Sequence, residues 1–337
     1  MAVTISDIAK EAGVSISTVS RVMNGTKPVS PELKDRVYKV IKKNNFKPNT
    51  LAQGLVTKKT NMIGVIVSDI SNVVFGAMTK GINRVCEEKG YTIMICESGG
   101  EPERELKLLQ LMEERQIEGV LFAGIDVNQK LVDFILGRSY PTVLVTQDAS
   151  IGDDIVATVV HNNVQAMSDA VTFLIENGHR RIAYLGGPKY DFSSGKKRLQ
   201  GYKSALTAAG IEIVDSYIEQ GEFNFQFGYE GMKRIYEENS VLPTAVVTGS
   251  DVIALGAIQF LKNVHMDVPG DISVMGFDDS NFSTYFQPEL STVRISYDYE
   301  GEVAAKELIR RLEGETAEAR TYYVPHKIIR RSTTKTL

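Results

Sequence analysis

Thr4-Ile5-Ser6-Asp7-Ile8-Ala9-Lys10-Glu11-Ala12-Gly13-Val14-Ser15-Ile16-Ser17-Thr18-Val19-Ser20-Arg21-Val22-Met23-Asn24-Gly25 is the stretch on which the reading of this chain turns. Ser6 offers a helix cap, and Ile8, Ala9 and Ala12 then share one face. Gly13 stands where that helix ends, because glycine takes a positive φ without a Cβ clash. Val14 plugs the gap to a second helix, capped by Ser15, with Val19, Val22 and Met23 facing inward. A third helix is marked by Ser30 as cap and Pro31 at its first position, with Leu33, Val37, Val40 and Ile41 as its apolar stripe. The spacing predicts a helix-turn-helix. Its second helix turns Ile16, Ser17, Ser20 and Arg21 outward, the face that meets base edges in a major groove. Short side chains from Ser15 to Thr18 permit close approach, and Arg21 reaches a guanine or a phosphate. Asn24, with Gly25 to Lys27, makes a turn carrying donors for phosphate oxygens.

Charge agrees with that reading. The net charge is −4, yet residues 1–60 hold 11 Lys/Arg against 4 Asp/Glu, a basic head on an acidic remainder. The chain has 337 residues, enough for two or three folded units, and 43% of them are hydrophobic, an ordinary globular proportion. No apolar run reaches the roughly 20 residues that span a bilayer, and residues 1–7 lack the basic start and apolar stretch of a secretory signal. A cytoplasmic location is expected. Cys86 and Cys96 read as small buried apolar residues rather than a disulfide.

The 22-residue stretch, long and ungapped, resembles the headpiece of the lactose-repressor (LacI/GalR) family. The resemblance implies DNA contacts from Thr4, Ile5, Ser6, Ser15, Ile16, Ser17, Thr18, Ser20, Arg21 and Asn24. Phe46-Lys47-Pro48-Asn49 ends the third helix, since proline cannot continue it. Asn49 can cap the short segment from Thr50 to Leu55, and Thr57 to Thr60 form a polar joint. In the family this segment is a hinge helix that folds on operator DNA, which adds Asn49, Ala52 and Leu55 to the expected contacts. Leu55 stands where the family wedges a leucine between the two central base pairs, bending the duplex. Gln53 replaces a common Arg and Gly54 a common Ser; glycine costs about 1 kcal/mol of helix propensity relative to alanine, so hinge folding is expected to be less favourable here.

From Asn61 the pattern changes. Met62 to Val67 is a continuous apolar run, as for a strand buried on both faces. Helices near 75–89 and 102–115 alternate with strands at 91–95, 119–122 and 142–145. A second βα series follows, with helices 163–177, 195–209, 227–239 and 251–263 and strands 182–185, 245–248 and 272–275. The late helix 298–313 follows a strand at 291–294 and returns to the first lobe. The fold class is α/β: an all-α helix-turn-helix headpiece plus hinge helix, then a two-lobed body of parallel doubly wound sheets. The domain expectation is a headpiece over 1–46, a hinge and linker over 47–60, and an effector-binding and dimerisation body over 61–337. Its N-lobe is placed at about 61–160 plus 291–321 and its C-lobe at about 161–290 plus 322–337.

The body also resembles the family's sensor, which looks like periplasmic sugar-binding proteins. The matching pieces include Asp69 to Asn72, Gly178 to Ala183, Arg198 to Tyr202, Ser250-Asp251 and Val268 to Asp279. Ligands of open α/β sheets bind at the strand ends facing the cleft. A sugar needs bidentate hydrogen bonds to its hydroxyls and an apolar wall for its C–H face. Asp278 ends a strand and can accept two hydroxyl bonds, and Arg198 can donate several. Phe75, Phe192 and Phe223 can supply walls, and Thr146, Ser194 and Ser250 polar contacts; each matches a family effector position, although Ser250 replaces a common Asn. Core packing is the competing role for Phe75, and a turn cap that for Asp278.

The expected function is a homodimeric, sequence-specific repressor of carbohydrate-utilisation genes, controlled by a sugar or sugar phosphate. An alternative is a global catabolite-control regulator co-repressed by a phosphorylated phosphotransferase carrier, a partner of some Gram-positive members. Lys306 stands where those carry a carrier-contacting Arg, and Tyr297-Asp298-Tyr299 is out of register. No cofactor or metal is expected. Enzyme motifs are missing: Gly195-Lys196-Lys197 lacks the upstream glycine and following Ser/Thr of a P-loop, there is no GxSxG or HExxH, and His161, His179, His265 and His326 have no ligand spacing. They read as structural histidines.

Overall fold

The computed structural model describes residues 3–24, 28–46, 60–149, 154–315 and 318–337 and divides into two units, Met1–Thr60 and Asn61–Leu337. The segment holding Asn49, Ala52 and Leu55 lies outside the described residues, as do Gly25 to Lys27.

The first unit holds α1 (Ile5–Ala12), α2 (Ile16–Asn24) and α3 (Pro31–Lys43). Thr4, not Ser6, caps α1. Its hydroxyl accepts from Asp7 N at 3.3 Å while Asp7 Oδ2 accepts from Thr4 N at 2.9 Å, a reciprocal box that satisfies two end donors and leaves Ser6 inside the first turn. Gly13 ends α1 at φ 64, as its position requires. Ser15 Oγ accepts from Thr18 N at 3.2 Å and so caps α2. Pro31 opens α3, but Ser30 makes no side-chain cap bond. Ile8, Ala9, Ala12, Val19, Val22 and Val37 form the core, with Val14, Met23, Val40, Ile41 and Phe46 against it. Glu11 takes hydrogen bonds from Lys43 Nζ (2.7 Å) and Asn44 (2.8 Å), tying α1 to the end of α3.

The second unit contains two six-stranded sheets. The first sheet has order β11-β5-β4-β3-β1-β2 and the second β12-β10-β9-β8-β6-β7. Strands β1 (Met62–Val67), β2 (Thr92–Glu97), β3 (Gly119–Ala123), β4 (Thr142–Val145), β5 (Thr158–His161) and β11 (Thr321–Val324) are all parallel. The second sheet comprises β6 (Ile182–Gly186), β7 (Ile218–Gln220), β8 (Ala245–Thr248), β9 (Ser273–Asp278) and β10 (Ser291–Ile295), with β12 (His326–Ile329) antiparallel to β10. The helices are α4 (Val73–Glu88), α5 (Pro102–Glu114), α6 (Gln129–Leu136), α7 (Asn163–Glu176), α8 (Lys197–Ala208), α9 (Phe225–Glu238), α10 (Asp251–Asn263) and α11 (Tyr297–Leu312). In both sheets the second strand in sequence lies outside the first and the third lies on its other side, so each lobe has a switch point at its centre.

The lobe boundaries need two corrections. Ser291–Ile295, expected in the first lobe, pairs with β9 in the second sheet, and only afterwards does α11 return to pack on α4. Thr321–Val324 pairs with β5 throughout, so the first lobe extends to Val324 rather than 321. The chain thus crosses between lobes at three places: His161 to Asn163, Ile295 to Tyr297, and Val324 to His326 across Pro325. Cys86 is buried as expected, but Cys96 is only half-buried, because β2 is an edge strand with one face open.

Candidate functional site

The first unit presents the outward face of α2. Ser15, Ile16, Ser17 and Arg21 are exposed, and Thr18 and Ser20 are half-exposed, while Val19 and Val22 point into the core. Three hydroxyls cluster at the helix start: Ser15 Oγ lies 2.8 Å from Ser17 Oγ and 2.9 Å from Thr18 Oγ1. Exposed Ile16 and the long cation of Arg21 flank them. Thr4 and Ser6 are exposed at the start of α1 and Ile5 is half-buried, with Thr4's hydroxyl already engaged in its cap. The Asn24 side chain lies outside the described residues.

The second unit has a cleft of about 350 Å³ between the C-terminal ends of its two parallel sheets. Phe75, Thr146, Ser194, Arg198, Phe223, Ser250 and Asp278 all line it, although they come from seven different segments. Phe192 does not. A π turn over Phe192–Lys196, capped by Asp191 Oδ1 on Ser194 N (2.7 Å), shifts the helix register expected to start at 195, and Lys197 Nζ sits 5.2 Å from the Phe192 ring centre. Phe75 serves both its readings: it is 8% exposed in the core and also forms cleft wall. Ser250 Oγ caps α10 by accepting from Ile253 N at 3.4 Å.

Arg198 is the hub. It is 3% exposed, its Nε donates to Asn163 Oδ1 at 2.7 Å, Nη1 donates to the Gly249 carbonyl, and Nη2 lies 3.3 Å from His161 Nε2. Its guanidinium lies 3.8 Å over the Phe277 ring and 3.9 Å from Asp278 Oδ1. The same Asp278 oxygen accepts from Tyr297 OH at 2.7 Å. His161 Nδ1 faces fully buried Glu300 at 3.4 Å. Burial pushes Asp278 above the usual carboxylate range, against the pull of Arg198 and the Tyr297 hydrogen bond. Neighbouring Asp251 is driven up to about 8, first by burial and then by the Asp278 charge, although Thr292 Oγ1 and Ser280 N both donate to it at 2.6 Å. Burial, followed by the Asp278 charge, raises the Tyr297 phenol well above its ordinary value.

Two residues hold uncommon backbone conformations at this site. Asp278 has φ 113 and the β-branched Thr146 has φ 63, positions of roughly 1–3 kcal/mol strain that persist only where the surroundings fix them. Asp278 is therefore more than the cap of its turn; Asp279 takes that part, binding Arg294, Arg331 and Ser283. His161, Asp251, Gln147 and Tyr297 are cleft residues that sequence reasoning missed, and buried Asn163 holds Arg198 from behind them. The signal was positional: each follows the C-terminal end of a strand or opens the helix after it. Among the described residues no group of three or more His, Cys, Asp or Glu is placed to hold a metal, and no helix is long and apolar enough to cross a membrane.

A helix-turn-helix ahead of a two-lobed body with a polar cleft defines a class, the DNA-binding transcriptional regulators with a binding-protein-like sensor. Residues 4–49 match the bacterial regulatory proteins, lacI family, and residues 171–334 match the periplasmic binding protein-like domain. The chain is 36% identical over 336 residues to catabolite control protein A of Priestia megaterium, covering 99% of this chain and 100% of that protein. It is 33% identical to the ribose operon repressor of Escherichia coli K12, over 92% and 93% of the two chains. In structure it is similar to the lac repressor dimer bound to operator and the anti-inducer ONPF (TM-score 0.90, 24% identity, 99% and 100% covered), a likeness of fold. It is also similar to the transcriptional regulator CelR in its cellobiose complex (TM-score 0.76, 27% identity, 98% and 99% covered). The chain belongs to the lacI family of bacterial regulatory proteins, and its relatives are transcriptional regulators.

Proposed function

We propose that the chain acts, without enzymatic activity, as a homodimeric repressor of carbohydrate-utilisation genes in the cytoplasm, reading a palindromic operator with two headpieces and answering to a sugar in the cleft. Each α2 enters one major-groove half-site, with Ser15, Ile16, Ser17, Thr18 and Ser20 against base edges and Arg21 on a guanine or phosphate. Thr4, Ile5, Ser6 and Asn24 add positioning contacts, and Asn49, Ala52 and Leu55 act at the minor groove. The observation that carries the sensor half is the Arg198–Asp278 pair, 3.9 Å apart at the cleft wall, with Phe75 and Phe223 beside it. A guanidinium and a carboxylate next to aromatic faces supply donors, acceptors and a C–H wall, the complement of a pyranose or furanose. Thr146, Ser194 and Ser250 complete the polar lining. The coupling is the difference in sugar affinity between the DNA-competent and incompetent arrangements of the lobes. Lys306, the expected carrier-contact position, lies 3.6 Å from Glu302, which Arg84 also holds.

The test is selection of bound sequences from random duplex DNA at fixed salt, with and without free sugars. One enriched palindrome, altered by one sugar, is expected. Arg21→Ala should weaken that binding while sugar affinity is unchanged; an unaltered operator affinity would remove α2 from the interface.

A further inference from the structure

Carboxyls outnumber cations along the cleft wall. Asp69, Asp191, Asp251 and Asp278 line it against a single lining cation, Arg198, and burial raises the last three of those carboxyls. Three of Arg198's five N–H groups are directed at Asn163, Gly249 and His161, and its charge is shared with Asp278 3.9 Å away. Lys197, close to the cleft in sequence and space, is bound to Asp148 at 2.9 Å. Helix starts would otherwise attract an anion. Those of α4, α9 and α10 each already give one N–H to a side-chain cap: Asn72 accepts from Val74 N, Asn224 from Phe227 N and Ser250 from Ile253 N. What the wall offers instead is acceptor and hydroxyl capacity. Thr146 Oγ1, Gln147 Oε1 and Ser280 Oγ are buried lining atoms with no hydrogen-bond partner among the described residues, and Thr146 and Gln147 are 5% and 6% exposed. A buried acceptor without a donor is costly, and a sugar hydroxyl supplies the donor.

We infer that the cleft takes an uncharged, polyhydroxylated effector and rejects the phosphate ester of the same sugar. This rests on the sugar reading of the cleft proposed above. A phosphate dianion brought within about 6 Å of one uncompensated carboxylate, at an effective dielectric near 20, binds roughly 100-fold more weakly than its neutral parent or worse.

The full chain is titrated by calorimetry with D-ribose, D-glucose, D-galactose and cellobiose, and with ribose 5-phosphate, glucose 6-phosphate, galactose 6-phosphate and cellobiose 6-phosphate. At least one free sugar is expected to bind, with its phosphate about 100-fold weaker or undetectable. A phosphate that binds as well as its parent overturns the inference and leaves the sugar reading standing. Binding by neither series, with operator binding intact, overturns the sugar reading and this inference with it. The cause is separated from steric exclusion by Asp69→Asn, an exposed rim position whose Oδ1 bonds to Ser71 an asparagine can keep. That variant should narrow the sugar-to-phosphate ratio by several-fold, and an unchanged ratio at both low and high salt means that charge is not what excludes the ester.

Discussion

Glu105 shows how a single carboxyl sets a pH response. It is 1% exposed on α5, beneath the loops that carry Ser98 and Ile125, and it receives only long hydrogen bonds of 3.5 and 3.4 Å from them. Burial drives it up to about 7 from 4.5. The folded state therefore holds a proton that the unfolded chain releases earlier. The stability tied to that proton is full below about pH 4.5 and is lost as pH rises through 7. Glu105→Gln keeps the acceptor and removes the charge. Urea unfolding should find the variant more stable than the parent by about 3 kcal/mol at pH 8 and equal to it near pH 4. Equal stability at both pH values would mean that the carboxyl is ionised without cost. At the cleft, Tyr297→Phe deletes the hydrogen bond to a buried carboxylate. It should destabilise the body by about 1–3 kcal/mol, measured by the same unfolding at neutral pH, where Asp278 then lacks a donor.

At the scale of elements, close approach decides more than propensity. Helices α4 and α11 meet through Gly81 and Gly301: a Cβ on Gly81 would collide with the Asp298 carbonyl, and one on Gly301 with the Met78 carbonyl. Gly81→Ala should cost at least about 1–3 kcal/mol by forcing the helices apart, seen as a lower Tm of the body with headpiece melting unchanged. Thr4→Ala removes a cap and should cost about 1 kcal/mol in the headpiece alone, a loss that Ser6→Ala should not reproduce. The strands that were legible in the sequence are those buried on both faces, such as Met62–Val67 and Ala245–Thr248, whose apolar runs have no interruption. Thr158–His161 was not, because it pairs polar ends with two valines and is buried only by tertiary contacts. Helix Gln129–Leu136 and the late strands Thr321–Val324 and His326–Ile329 are too short for a period to show. Seven of the eight cleft residues that the family resemblance implied converge, of which only Thr146, Ser250 and Asp278 stand at strand ends; Phe192 fails because no composition signal marks a π turn.

Across the whole molecule, the basic head and acidic body assign salt sensitivity to one function and not the other. Counterion release makes DNA affinity fall steeply with ionic strength, whereas a neutral sugar displaces few ions. Between about 50 and 200 mM salt, operator affinity should drop by roughly 10³-fold or more while sugar affinity moves less than about twofold. Parallel titrations of both ligands check this, and equal slopes would refute the division. The three lobe crossings carry one further consequence. His161 and Asn163 flank the first crossing and both hold Arg198; Tyr297 opens the helix just past the second and holds Asp278. In the proposed sensor, the ligand's anchor points therefore sit at the crossings that join the lobes. Rotation displaces each atom in proportion to its distance from the axis, so a sub-ångström adjustment at a crossing becomes a larger arc at the lobe margins. Under that proposal a molecule small enough to fit between two sheets needs no long lever of its own: it would work from the pivot, with the sheets as the arms.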